Sequence, residues 1–124
     1  MADYTPIHAP GHEITQTASA AITGGQVLMN SGNGTVAPAA AASVKYVGVA
    51  AHDAASGALV TVFTGVGMVH ETTAQGAVTA GQLLKAGTVA GTVANLDTGT
   101  FDQVIGVAIS GAADGALVKW KATR

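Results

Sequence analysis

Runs of roughly four to eight residues rich in Val, Thr and Ile recur along the chain, each bounded by Gly, Asn, Asp or Ser. That grammar belongs to short strands closed by turns, so a mainly β protein is predicted. Period-two alternation is clearest in LVTVF, residues 59–63, and LVKWKA, residues 117–122. Val60 and Val62 share one face, and Val118 and Trp120 share the matching one, with Thr61, Phe63, Lys119 and Lys121 opposite. The Val and Trp faces are the predicted core. Phe63 stands where its repeat partner is a lysine: either it points out as a candidate partner contact, or a loop present only in the first copy covers it, the second being favoured.

The pattern also repeats on a longer scale. TASAAITGGQVL, residues 17–28, lies over TAQGAVTAGQLL, residues 73–84, and VGVAAHDAASGALV, residues 47–60, lies over IGVAISGAADGALV, residues 105–118. Each copy runs through a Gly-Gln turn, two short apolar runs, a V/I-G-V-A strand and a closing alternating strand. Neither half buries enough apolar area alone. The two, about residues 17–64 and 73–122, are expected to pack as a small β-barrel or sandwich, a single domain over residues 14–124. PAAAAS, residues 38–43, forms a turn of helix or an irregular crossover, too short to change the class.

Residues 1–13, MADYTPIHAPGHE, leave this grammar. Pro6, Pro10 and Gly11 prevent a helix and favour extended backbone, with Tyr4 and Ile7 the only large apolar groups. An extended N-terminal arm is expected, either disordered in the free protein or ordered by adding along a partner's strand edge. His8 and His12 have the spacing of a helical metal pair, but Pro10 and Gly11 remove the helix. Only Glu13 adjoins them, so no metal site is expected there.

Composition narrows the partners. Charged residues make up 10% of the chain, against roughly 25% in an ordinary soluble domain, which leaves little ionic surface. The net charge is -2, and among five Lys and Arg only Lys119, Lys121 and Arg124 cluster, so nucleic acid is not an expected partner. That cluster reads as a solvated strand end or a contact for an acidic partner. With no Cys there is neither a disulfide nor a thiolate metal site. The uncharged stretch over residues 14–44 is interrupted by Gly24, Gly25, Gly32, Gly34 and Pro38, so it is not read as a membrane helix. The chain start carries neither the basic nor the apolar segment of a signal peptide.

Candidate chemistry is sparse. His70 and Glu71 lack the second histidine of HExxH and read as a strand end leaving the core. Gly65 and Gly67 lack the rest of a dinucleotide fingerprint and read as strand bends. A biotinyl or lipoyl carrier domain needs a lysine on a hairpin between the halves, where none stands. The one constellation holding a nucleophile, a base and a carboxylate is His52, Asp53 and Ser56. Its echo is Ser110, Gly111 and Asp114, so the flanking strands repeat and the trio does not. Without a nucleophile elbow or an oxyanion donor set the trio reads as a polar turn, and no catalytic residue or cofactor is expected. A small hydrolase using that trio is the alternative from a different functional class.

The stretch VGVAAHDAASGALVTVFTGVGMV, residues 47–69, following a Thr-Pro-His arm, resembles the head decoration, or cement, proteins of tailed double-stranded DNA bacteriophages of the lambda-like type. The Gly-Gln turn with the V/I-G-V-A strand is also similar to Gly-rich capsid cement proteins of other siphophages, and the likeness spans roughly residues 4–122. The two-half repeat is clearer here than in the lambda-type pattern. The resemblance implies a β-tulip-like subunit, made in the host cytoplasm, that forms a homotrimer at three-fold and quasi-three-fold positions on the outer surface of the mature capsid. There it would clamp the major capsid protein against the pressure of packaged DNA. It also implies that the arm orders on the capsid, a role falling on Tyr4, Thr5, Pro6, Ile7, His8, Pro10, His12 and Ile14. Low charge and small residues suit extensive contact, and trimerisation multiplies weak arm contacts through effective concentration. The runner-up reading is a β-rich binding module of another phage assembly, a fibre or baseplate part.

Overall fold

The computed structural model describes residues 11–41 and 43–124. The expected arm residues Tyr4, Thr5, Pro6, Ile7, His8 and Pro10 lie outside them. The mainly β expectation holds. Strands β1 (Glu13–Ala18), β2 (Val27–Gly32), β3 (Thr35–Pro38), β4 (Tyr46–Ala50) and β5 (Leu59–Phe63) form a closed barrel in the order β1-β3-β2-β4-β5. Its pairings are antiparallel except β1 with β3, which run parallel through Thr17↔Thr35 and Ala18↔Val36.

The second half repeats this plan. Strands β6 (Val69–Thr73), β7 (Leu83–Ala86), β8 (Val93–Asn95), β9 (Gly106–Ala108) and β10 (Leu117–Ala122) lie in the order β6-β10-β9-β7-β8. Unlike the first, this is a five-stranded sheet and not a closed ladder: only a single parallel bridge, Ala74 with Val93, joins its edges where β1 meets β3, so the second half is an incompletely closed barrel. There the Gln75 N–H donates to the Val93 carbonyl at 2.8 Å, as the Ser19 N–H donates to Val36 at 2.9 Å.

Sequence repetition becomes structural repetition through a few specific residues. In the Gly-Gln turns, Gln26 Oε1 accepts the Thr23 N–H and Gln82 Oε1 accepts the Thr79 N–H, both at 2.9 Å. Gly25 and Gly81 take φ values of 87° and 90° there, in the left-handed region that favours glycine. Within V/I-G-V-A, Gly48 and Gly106 let the closing strand cross at contact distance. A Cβ on Gly48 would sit 2.2 Å from the Phe63 carbonyl oxygen, and one on Gly106 would sit 2.4 Å from the Trp120 ring. Alternation then fills each barrel: Ala18, Leu28, Val36, Ala50, Val60 and Val62 are buried in the first, and Ala74, Leu84, Val93, Ala108, Val118 and Trp120 occupy the corresponding places in the second. The predicted Val and Trp core faces are therefore those found.

Of the two alternatives for residues 38–43, the described residues follow the irregular crossover, with Ala41 at φ 54°. Two local readings change. His70 and Glu71 do not leave the core at a strand end but sit inside β6. Ile14, expected in the arm, is a barrel residue that pairs with Val62 and packs against the first core.

The two barrels share apolar surface. Val27, Ala39 and Val49 belong to the first half, yet they are buried in the cluster built around the second barrel's core. Backbone bonds seam the junction: Val27 N–H to Gly91 O at 3.2 Å, Gly91 N–H to Ala39 O at 2.8 Å and Ala41 N–H to Gly87 O at 2.9 Å. The Trp120 indole N–H donates to Thr72 Oγ1 at 3.0 Å, and the Thr72 hydroxyl donates onward to Gly25 O at 2.9 Å. The largest core side chain is thus tied to the other half through one hydroxyl.

Candidate functional site

His52, Asp53 and Ser56 lie on the exposed loop between β4 and β5, and each is bonded to backbone rather than to the others' reactive atoms. His52 Nδ1–H donates to the Asp53 carbonyl at 2.8 Å, while Nε2 accepts the Thr61 N–H at 3.2 Å, so both ring nitrogens are bonded to backbone. Asp53 Oδ1 accepts the Gly24 N–H at 2.8 Å, and the Ser56 hydroxyl donates to Ser19 O at 3.2 Å. No proton can pass from serine to imidazole to carboxylate along these bonds, which is what nucleophilic activation requires.

The second half explains why such polar residues are there. Ser110 Oγ, at the position of His52, accepts the Lys119 N–H at 3.1 Å, as His52 Nε2 does for Thr61. Asp114, at the position of Ser56, accepts the Gly76 N–H at 2.8 Å, fastening the loop after β6 as Ser56 fastens the loop after β1. Different side chains perform the same loop fastening, so the trio is a set of turn clasps.

Near the chain's start the root of the arm is held. Thr64, which leaves the first barrel, donates its N–H to His12 O at 2.8 Å and its hydroxyl to Gly11 O. His12 itself is exposed. Phe63 is half-buried and stacks on His70, ring centroids 6.4 Å apart, and His70 packs in turn on Trp120 at 5.3 Å. Part of the covering of Phe63 thus comes from β6 of the second half. Burial holds the His70 imidazole below its usual pKa, and its Nε2 has no hydrogen-bond partner among the described residues. Among those residues no group of three His, Cys, Asp or Glu could hold a metal ion, and no helix is long and apolar enough to cross a membrane.

The model of the phage cement protein family matches residues 8–122. The chain belongs to the phage cement proteins. A solved structure similar to it is the head fiber gp8.5 N base of bacteriophage phi29, at 23% identity and TM-score 0.68, with 90% of this chain and 92% of that one covered. That likeness is one of fold. No curated protein matches the sequence.

For a phage cement protein the role is structural, in the virion and in association with the capsid, and the clasped trio agrees with a non-enzymatic part. The exposed surface of this cement protein carries several large apolar side chains. Leu59, Leu83, Val66, Val69, Leu117 and Phe101 are all exposed, Phe101 at 85% on a single 3-10 turn (Phe101–Gln103). Lys119 and Lys121 face solvent, whereas the Arg124 guanidinium is engaged, donating to the carbonyls of Asp102 and Val44 and so joining two corresponding loops. A polar cleft of about 190 Å³ lies at the junction, between the turn of residues 23–26 and Glu71, Thr73, Gly91 and Leu117. Val27 and Leu28, consecutive on β2, are both buried, because β2 lies between the two cores.

Proposed function

We propose that this cement protein binds the exterior of the mature phage capsid as a homotrimer at three-fold and quasi-three-fold positions, and stabilises the shell against the pressure of packaged DNA. The family match over residues 8–122 carries the reading. The arm residues Tyr4, Thr5, Pro6, Ile7, His8, Pro10 and His12 make the capsid contact, joined by Phe63. Support for including Phe63 is its place: it pairs with Glu13 where β1 begins, next to the arm's clasped root. Ile14 anchors that root in the barrel. The major capsid protein is the partner.

Mixing the purified protein with expanded, undecorated heads tests this. Saturable binding and a raised disruption temperature are expected, and no binding at any stoichiometry would overturn it. Deleting residues 1–10, which stops short of β1, weakens attachment while the barrels' melting temperature stays unchanged. The fold shared with a head-fibre base favours one second reading, a seat for another appendage, in which heads bind the protein without gaining thermal resistance.

A further inference from the structure

The junction between the barrels is made from two different surfaces. The first barrel contributes the turn of residues 23–26 and the β2–β4 pair Val27↔Val49. The second contributes β6 at Glu71 and Thr72, with Gly91. Because the halves are repeats, each surface has a counterpart on the opposite half. The turn and its valine pair correspond to residues 79–82 and the β7–β9 pair Leu83↔Val107. The β6 surface corresponds to Thr15 and Gln16 on β1, with Gly34.

Exposure separates the used copies from the unused ones. Val27 and Val49 are 0% and 2% exposed, whereas Leu83 is 40% exposed and Val107 is only half-buried. Gly91 is buried, and a Cβ there would sit 2.6 Å from the Gln26 side chain; Gly34 is exposed, with only Gln16 Oε1 within reach at 3.9 Å. One chain therefore carries exposed counterparts of both members of a contact that it already makes once internally.

We infer that a second copy of this chain completes the contact: the 79–82 turn and the Leu83–Val107 pair of one copy dock on the β1 edge at Thr15, Gln16 and Gly34 of the next. The Gln16 amide takes the place of the Thr72 hydroxyl in bonding the incoming turn's Gly81 carbonyl, and the Leu83 N–H takes the place of the Val27 N–H. The two surfaces differ, so the contact is heterologous and must close into a ring or run on as a filament. This inference rests on the self-association in the proposed function and supplies its interface; three copies in a ring set six barrels side by side, each docked on the next in the same way.

Light scattering on the full chain, coupled to size exclusion, tests it. The wild type should be an oligomer, and both Leu83→Glu and Gly34→Asn should run at the mass of one 12.0 kDa chain with unchanged melting. Asn tolerates the left-handed backbone at Gly34 while placing a side chain where Gln82 must pack. Leu83→Glu keeps a sound β1 edge and Gly34→Asn keeps a sound β7 face, so mixing the two monomers should give a one-to-one pair. Val66→Glu, at an equally apolar exposed site outside the contact, should remain an oligomer. A monomeric wild type, variants of wild-type mass, or monomers that do not pair on mixing would each overturn the inference. If Leu83→Glu lost its fold, the mass of Gly34→Asn alone decides. Capsid binding by a monomeric wild type would remove this interface and leave capsid attachment standing; an oligomer that ignores heads would do the reverse.

Discussion

Replacing Thr72 by Val keeps the shape of the side chain and deletes one hydroxyl. In the native chain that hydroxyl accepts the Trp120 indole N–H at 3.0 Å and donates to Gly25 O at 2.9 Å, with Thr72 2% exposed and Trp120 0% exposed. The variant leaves a buried indole donor with no acceptor, at about 1–3 kcal/mol, and loses a second bond to a carbonyl at the cleft, at about 1 kcal/mol net. Because valine fills the same volume, little cavity cost adds to this. The expected loss is about 2–4 kcal/mol, which at an m-value of about 2 kcal/mol/M lowers the urea midpoint by about 1–2 M. Trp120 is the single tryptophan, so its fluorescence reports the event at the site itself. Thr72→Ser should retain most of the stability, and in a Trp120→Phe background Thr72→Val should cost measurably less, since the donor is already gone. All measurements need one protein concentration, because the proposed self-association would add stability. A midpoint within experimental error of wild type for Thr72→Val, or equal costs in both backgrounds, would refute the idea that this hydroxyl links the barrels.

Four other outcomes follow from the same structure. Asp53→Ala removes the acceptor for the Gly24 N–H on an exposed loop and should lower stability by about 1 kcal/mol in thermal unfolding, with head binding unchanged; a loss of binding at full stability would return the trio to function. Gly48→Ala drives a methyl into the Phe63 carbonyl and should cost several kcal/mol or prevent expression of folded protein, whereas Gly57→Ala meets no atom within 4 Å and should cost about 1 kcal/mol through its φ of 88° alone. In pH, burial lowers the His70 pKa, so the unfolded chain takes up the proton first; stability is full above about pH 6.5 and falls as pH drops below it, a decline that His70→Gln should flatten. At the alkaline end burial, offset in part by Arg124, pushes Tyr46 up to about 12 from 10.0, so stability should fall between those values by at most about 3 kcal/mol, and Tyr46→Phe should remove that fall in urea titrations at each pH.

Much of the fold is legible because each barrel repeats the same local devices. The alternation of Val60 and Val62, matched by Val118 and Trp120, gives the core faces, and glycines at matched positions give the turns and crossings. The start of the second half is less legible: β6 reads VHETT, which shares little with EITQTA of β1, so the likeness begins only at Thr17 and Ala18, matched by Thr73 at the end of β6 and Ala74 just after it. The clasped trio could be set aside from its missing echo, but its actual task could not be read, since a histidine and a serine do the same backbone-accepting job at corresponding positions. Least legible is the junction. Val27 with Leu28 and Leu83 with Leu84 are the same apolar doublet, yet one is buried whole and the other half exposed, because burial there depends on which neighbour arrives.

The clasp of Thr64 onto Gly11 and His12 has a mechanical meaning. β1 begins beside the end of β5, so the arm and the connection to the second barrel leave the first barrel from the same end of a five-pair antiparallel ladder. Tension between them loads that ladder in peeling rather than in shear, one pair after another from Glu13↔Phe63 inward, with the Thr64 clasp as the first link to give. Tension between the arm and that connection would therefore be met by stepwise lengthening of the first barrel, starting at the Thr64 clasp.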